Sequence, residues 1–281
     1  MCFRPKILLY RKIMRHFIIF ATAVLLTTPA FAAATDWQEV APGVRLRLIA
    51  DNQLKPDGTT LAGIEIDMPQ NTKTYWRVPG ESGIPTELDL DGSAGIADHA
   101  ILWPFPTPDT QNGFRDYVYY GPTVLPVTLK IEGGQASLKA GVVMGVCSDI
   151  CVPVHASFAL PLAFGKPDAG ESLRLAQAVA TTPIAWDGAP GAIGTVRYDP
   201  SAKALVVPIT DPQIDPASLI ADAGQGGVLF GAPQKSPDGQ AVLLPLLGTN
   251  DEKGLDRQAI RLTFMTAKGP YELSRNVTVG G

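Results

Sequence analysis

Two cysteines four positions apart, in the run Cys147-Ser148-Asp149-Ile150-Cys151, are the residues of this chain best suited to chemistry. A disulfide needs Cα atoms roughly 4.4–6.8 Å apart, whereas four steps along an extended strand would separate them by roughly 13 Å. The chain must therefore fold back between them. A hairpin with Ser148-Asp149-Ile150 as its loop sets the cysteines opposite each other on antiparallel strands, and the β-branched neighbours and Pro153 argue against a helical turn. As a staple such a bond is weak: closing a ring of about five residues removes roughly 2 kcal/mol of unfolded-chain entropy, against about 4.7 for a hundred-residue loop. Tight, accessible disulfides tend to be labile or catalytic. Geometry alone leaves a redox pair and a structural bridge both open.

The local charge predicts a quiet dithiol. Asp149 lies between the cysteines, and Lys139 is the sole Lys or Arg within ten residues on either side, so nothing nearby in sequence lowers a thiol pKa. A pair of this kind reacts when a partner brings its own activated thiolate or disulfide, as in a relay. A second chemistry uses the same stretch: Met144, Cys147, Cys151 and His155 are a soft donor set of the kind that holds Cu(I) or Zn²⁺. Against it, a lone Met in a β run is commonly core filler, and a His beside a strand is commonly a surface residue. No organic cofactor is called for.

The compartment matters to a cysteine pair, and the first residues address it. Arg4, Lys6, Arg11, Lys12 and Arg15 form a basic segment, Phe17 to Leu26 is an apolar run too short to span a bilayer, and Ala30-Phe31-Ala32 has the small-x-small pattern of a cleavage site. This predicts a secretory signal peptide over residues 1–32, with Met14 an alternative start. Its removal takes away Cys2, five of the 23 basic residues and none of the 27 acidic ones, leaving net charge −9 on 249 residues. In an oxidising compartment the two remaining cysteines can pair with each other. The acidic balance and the lack of any Lys/Arg cluster exclude a nucleic-acid partner.

The elements that must position the pair are strands. The chain is 281 residues long, 46% hydrophobic and 18% charged, with 28 glycines and 25 prolines in no period, which excludes disorder and favours short strands and turns. Strands are predicted at Val44–Ile49 and Leu61–Ile66, with a turn at Lys55–Gly58 between them. Trp76 to Pro108, rich in proline, reads as mostly irregular loop around short strands, with Trp76 and Trp103 building the frame. Tyr117–Tyr120, Val124–Ile131 and Ala136–Val146 follow, with Glu132-Gly133-Gly134-Gln135 as a hairpin turn. Ser157–Leu162 reads as an edge strand, because its proline cannot donate to a central ladder. Glu171–Ala180 reads as a short helix and Ala185–Gly194 as a linker. Runs at Ala204–Ile209, Gly227–Phe230, Ala241–Leu247, Ala259–Met265 and Tyr271–Val279 predict a second β-rich unit over 195–281 that carries neither His nor Cys. The fold class is all-β: a sandwich over 33–165, a helix and linker over 166–194, and the smaller β-rich unit. No nucleotide loop, zinc spacing or nucleophile elbow occurs anywhere.

Several motifs in order carry a resemblance. Tyr75-Trp76-Arg77-Val78-Pro79-Gly80 with Gly83-Ile84-Pro85, then Leu102-Trp103-Pro104-Phe105-Pro106, Leu125-Pro126-Val127 and Val146-Cys147-Ser148-Asp149-Ile150-Cys151-Val152-Pro153, together resemble the N-terminal periplasmic domain of the DsbD and ScsB type thiol:disulfide interchange proteins. The likeness spans about residues 36–165. It implies an immunoglobulin-like β-sandwich in the periplasm. That domain takes electrons from a membrane-embedded thiol/disulfide donor and passes them to periplasmic clients, such as thioredoxin-fold or cytochrome-maturation proteins. Cys147 and Cys151 would then be the exchanging pair, one forming a mixed disulfide and the other resolving it. The C-x3-C spacing is that of the ScsB-like variant, associated with copper stress. Asp109 to Phe114 stands where the family has a loop capping the disulfide, which makes Phe114 the candidate cap, with Trp103 and Asp149 as further frame residues. No membrane-spanning block follows residue 165, so the donor would be another polypeptide.

Overall fold

The computed structural model describes residues 33–248, apart from Gln225, and 254–279. The signal peptide expected over 1–32 lies outside them. Among the described residues no helix is long and apolar enough to cross a membrane. In chain order the first strands are β1 (Gln38–Ala41), β2 (Val44–Ala50), β3 (Thr59–Asp67), β4 (Lys73–Gly80), β5 (Glu87–Asp89), β6 (Ile96–Ile101), β7 (Thr107–Asp109), β8 (Asp116–Tyr120), β9 (Thr123–Ile131), β10 (Ala136–Cys147) and β11 (Cys151–Leu162), followed by helix α1 (Ala169–Val179).

These strands form an immunoglobulin-like sandwich of two antiparallel sheets. One runs β1-β2-β3-β9-β6; the other runs β11-β10-β4-β8-β7, with β5 paired to β10. The residue pattern explains the layering. Along β10, Ala136, Leu138, Ala140, Val142, Met144 and Val146 alternate into the core, opposite Leu46, Leu48, Ile64 and Leu125 of the other sheet. Trp76 is fully buried at its centre and meets Tyr117 edge to face at 5.8 Å between ring centroids. Helix α1 is capped by Asp168, whose carboxylate accepts from the backbone N–H of Gly170 and Glu171 at 2.9 and 3.0 Å. Of its two leucines, Leu175 is fully buried and Leu173 is exposed. A Cβ at Gly63 would stand 2.7 Å from a Leu175 methyl, so β3 holds a glycine where the helix docks.

Two expectations for the sandwich need correction. Glu132–Gln135 is not a hairpin turn: β9 pairs with β3 and β6, while β10 pairs with β11, β4 and β5, so this segment carries the chain from one sheet to the other. Trp76 to Pro108 is more regular than its prolines imply, since it contributes most of β4 and all of β5 and β6. The edge position of β11 and the helix are found where the sequence placed them.

Beyond the helix come β12 (Ile184–Ala185), β13 (Arg197–Asp199), β14 (Ala204–Pro208), β15 (Ile220–Asp222), β16 (Leu229–Phe230), β17 (Gln234–Lys235), β18 (Ala241–Leu247), β19 (Ala259–Thr266), β20 (Gly269–Asn276) and β21 (Thr278–Val279). They make a sheet ordered β12-β20-β19-β15 and another ordered β16-β18-β14-β13-β21, with β17 paired to β18. A second apolar cluster, including Tyr198, Leu205, Leu244 and Phe264, lies within this region. Residues 185–194, expected as linker, place Ala192 and Ile193 in that cluster.

Candidate functional site

The hairpin of β10 and β11 runs in unbroken register from Ala136 opposite Leu162 to Cys147 opposite Cys151. Ser148, Asp149 and Ile150 form its loop, tied by the Ser148 N–H donating to the Ile150 carbonyl at 3.2 Å. A disulfide joins the two cysteines, with their Cα atoms 4.1 Å apart. Because Met144 and Val146 point into the sandwich, the strand period turns Cys147 to the outer face of the sheet. The two sulfurs differ in access: Cys147 is 1% exposed, while Cys151 belongs to the exposed class and sits beside Ile150, exposed to 72%.

Neighbouring strands bury Cys147. It pairs with Lys73 of β4 and packs against Tyr75 and, from β8, Val118. The Tyr75 hydroxyl stands 2.8 Å from the Cys147 sulfur and 3.4 Å from the Cys151 sulfur. A disulfide has no S–H, so the hydroxyl donates. Two glycines make room for the ring. A Cβ at Gly145 would lie 2.8 Å from Ile84 Cβ and 3.0 Å from Tyr75 ring carbons, and one at Gly83 would lie 2.6 Å from Tyr75 Cδ1. Burial and the carboxylates of Asp116 and Asp109 push the Tyr75 pKa up, outweighing Ser82, so the phenol stays a neutral donor.

Those carboxylates belong to a buried charged group one step further out. The Lys73 ammonium pairs with Asp109 and lies 3.9 Å from Asp116. Asp109 also accepts from the Gln111 backbone N–H at 2.9 Å and from the Tyr120 hydroxyl at 3.0 Å. Asp116 accepts from the Ser82 backbone N–H at 3.0 Å and the Ser82 hydroxyl at 2.5 Å. Burial pushes the Asp109 carboxyl up, but the bonds from Lys73, Gln111 and Tyr120 together hold it below the usual range. Burial, with the Asp109 carboxylate, pushes Tyr120 up to about 12. One ammonium faces two carboxylates here, so this group offers no spare positive charge to lower a thiol pKa.

Of the residues singled out in the sequence, the structure unites Cys147, Cys151 and Asp149, the last exposed in the hairpin loop. Phe114 caps a short 3₁₀ turn (Gln111–Gly113) on the segment that Asp109 anchors to Lys73, and is 49% exposed. Trp103 packs against the sandwich core, apart from the cluster around the disulfide. The soft donor set is not assembled. Met144 is buried in the core on the opposite face from Cys147, and His155 is four residues along β11 from Cys151, roughly 13 Å of extended strand away. Among the described residues no cluster of three or more His, Cys, Asp or Glu is placed to hold a metal ion. Sequence reading missed Tyr75, Lys73 and Asp116 as site residues and saw Asp109 only as the start of the capping segment. Tyr75 lies 72 positions from Cys147, and no local spacing links them.

Comparison with known proteins bears on this constellation. The family model described as thiol:disulfide interchange protein DsbD, N-terminal, matches residues 45–163, a span holding every residue of the site. No curated protein matches the chain significantly. Among solved structures, the chain is similar to the N-terminal periplasmic domain of ScsB from Proteus mirabilis, with TM-score 0.67 and 22% identity, covering 88% of this chain and 99% of that one. At that identity the likeness speaks to the fold, and it extends beyond the sandwich into the second β-rich region.

Proposed function

We propose, from the match of residues 45–163 to the DsbD N-terminal family, that the chain is a periplasmic relay module that exchanges its Cys147–Cys151 disulfide with partner dithiols. The observation that carries this reading is the asymmetry of the two sulfurs: Cys151 is open, and Cys147 is buried with the Tyr75 hydroxyl 2.8 Å away. A partner thiolate attacks Cys151 Sγ, the bond between Cys147 and Cys151 breaks, and the electron pair leaves on Cys147 as thiolate. Tyr75 donates to that thiolate, favouring it over the alternative in which Cys151 leaves. The partner's second thiolate then attacks its own sulfur in the mixed disulfide and releases Cys151. Two electrons and two protons have passed to this chain, and the partner dithiol has become a disulfide. The reverse sequence hands them to a client. The donor is of the membrane-embedded thiol/disulfide class, and the clients are thioredoxin-fold or cytochrome-maturation proteins of the periplasm.

The test is trapping with oxidised glutathione. Cys147→Ser leaves the exposed thiol alone and is expected to form the mixed disulfide readily, whereas Cys151→Ser, with only the buried thiol, is expected to react many times more slowly. Equal rates, or faster capture by Cys151→Ser, would contradict the assignment of the attacked sulfur.

A further inference from the structure

The second β-rich region carries none of the exchange chemistry, yet it grips the strand that holds Tyr75. The grip is Arg77, two residues beyond Tyr75 on β4. Its Nε donates to Asp222 at 2.8 Å, and its Nη2 donates to Thr263 at 3.0 Å and to Glu272 at 3.1 Å. These partners stand on β15, β19 and β20, three neighbouring strands of one sheet. The guanidinium also lies 4.2 Å from the ring centroid of Trp76, which is buried in the sandwich core. Only 12% of the Arg77 side chain is exposed, and Thr263 is fully buried.

The grip falls where β4 has lost its own support. Lys73, Thr74 and Tyr75 pair with Tyr120, Tyr119 and Val118, but the next pair is Gly80 with Asp116, so five steps on β4 face two on β8. Residues 76–79 therefore bulge out of the ladder immediately after Tyr75. Bulges of this kind re-aim the side chains beside them, and their shape needs something to fix it. Gly80 closes the bulge with φ +96°, a backbone conformation that favours glycine. Inside the bulge Trp76 is anchored below in the core and Arg77 above on the second sheet.

We infer that Arg77 is a positioning residue: by clamping the β4 bulge to Asp222, Thr263 and Glu272, the second β-rich region sets the aim of the Tyr75 hydroxyl at Cys147. A planar fork with several fixed donors suits this, since it restrains orientation as well as distance, which a lysine ammonium would not. The inference rests on the reading that Tyr75 supports the thiolate leaving on Cys147, and the two can fail separately.

The experiment measures the rate at which dithiothreitol reduces the disulfide in the mature protein for the parent, Tyr75→Phe, Arg77→Gln, Arg77→Lys and the double variant Tyr75→Phe/Arg77→Gln. The expected pattern is slowing by Tyr75→Phe, slowing by Arg77→Gln, a smaller effect of Arg77→Lys, and a double variant no slower than Tyr75→Phe alone, as for two residues acting through one hydroxyl. Parental rates in Tyr75→Phe would sink the role of Tyr75. Slowing in Tyr75→Phe with parental rates in Arg77→Gln, or with effects that multiply fully in the double variant, would overturn the clamp alone. Should Arg77→Gln fail to fold, Glu272→Gln takes its place, because Glu272 is the most exposed of the carboxylate partners at 28%, and the same two outcomes decide.

Discussion

At the residue scale, one hydroxyl and two unequal sulfurs define the site. Hydrogen bonds to charged groups are worth about 1.5–3 kcal/mol, and about 1.4 kcal/mol is tenfold in rate, so Tyr75→Phe is expected to slow attack on Cys151 by about tenfold to a hundredfold. The check is stopped-flow reduction by dithiothreitol with circular dichroism confirming the fold, and an unchanged rate would remove Tyr75 from the mechanism. The buried Lys73–Asp109 pair makes a second prediction. Asp109 is held below the usual carboxylate range, so its ionised form stabilises the fold. That stability is present above the unfolded value of about 3.9 and is lost as pH falls through the lower folded value. Parent and Asp109→Asn should therefore differ in urea midpoint at neutral pH and converge on acidification below about pH 4. A constant difference down to pH 2 would show that Asp109 does not titrate as described.

At the element scale the hairpin of β10 and β11 presents the disulfide at its tip, and β4 presses Tyr75 against it. Gly145 lets them meet. Gly145→Ala is expected to destabilise by about 1–3 kcal/mol through overpacking, and to slow exchange as the ring is displaced. Denaturant unfolding together with the exchange assay checks both, and a neutral Gly145→Ala would mean that the ring has room to spare. This hairpin was legible in the sequence, because the Cα distance a disulfide demands cannot be met along one strand, and the edge strand was legible from its proline. The Glu132–Gln135 connection was not: two glycines in a polar turn look the same whether the chain doubles back within a sheet or crosses to the facing one, and only the partner strands decide. Nor was Tyr75 as a site residue, since its place beside Cys147 comes from the pairing of β4 with β10, a contact between distant segments. The bulge that frees Arg77 is likewise a matter of register, invisible to local pattern.

At the scale of the whole molecule, two apolar clusters are joined where Arg77 reaches the second sheet and where Ile220 of β15 is counted into the sandwich core. That junction sets the second β-rich region against the strand that carries Tyr75. The formal charge of the chain, 23 basic against 27 acidic residues, gives it no general attraction for phosphate. What the molecule as a whole must possess, if it is a relay, is a disulfide poised to cycle. The most direct measurement is the equilibrium reduction potential of Cys147–Cys151 in the mature protein against a glutathione or dithiothreitol series. A relay requires a value between about −120 and −270 mV, the range of exchange proteins, while a value below about −300 mV would make the bond a structural one and contradict the relay.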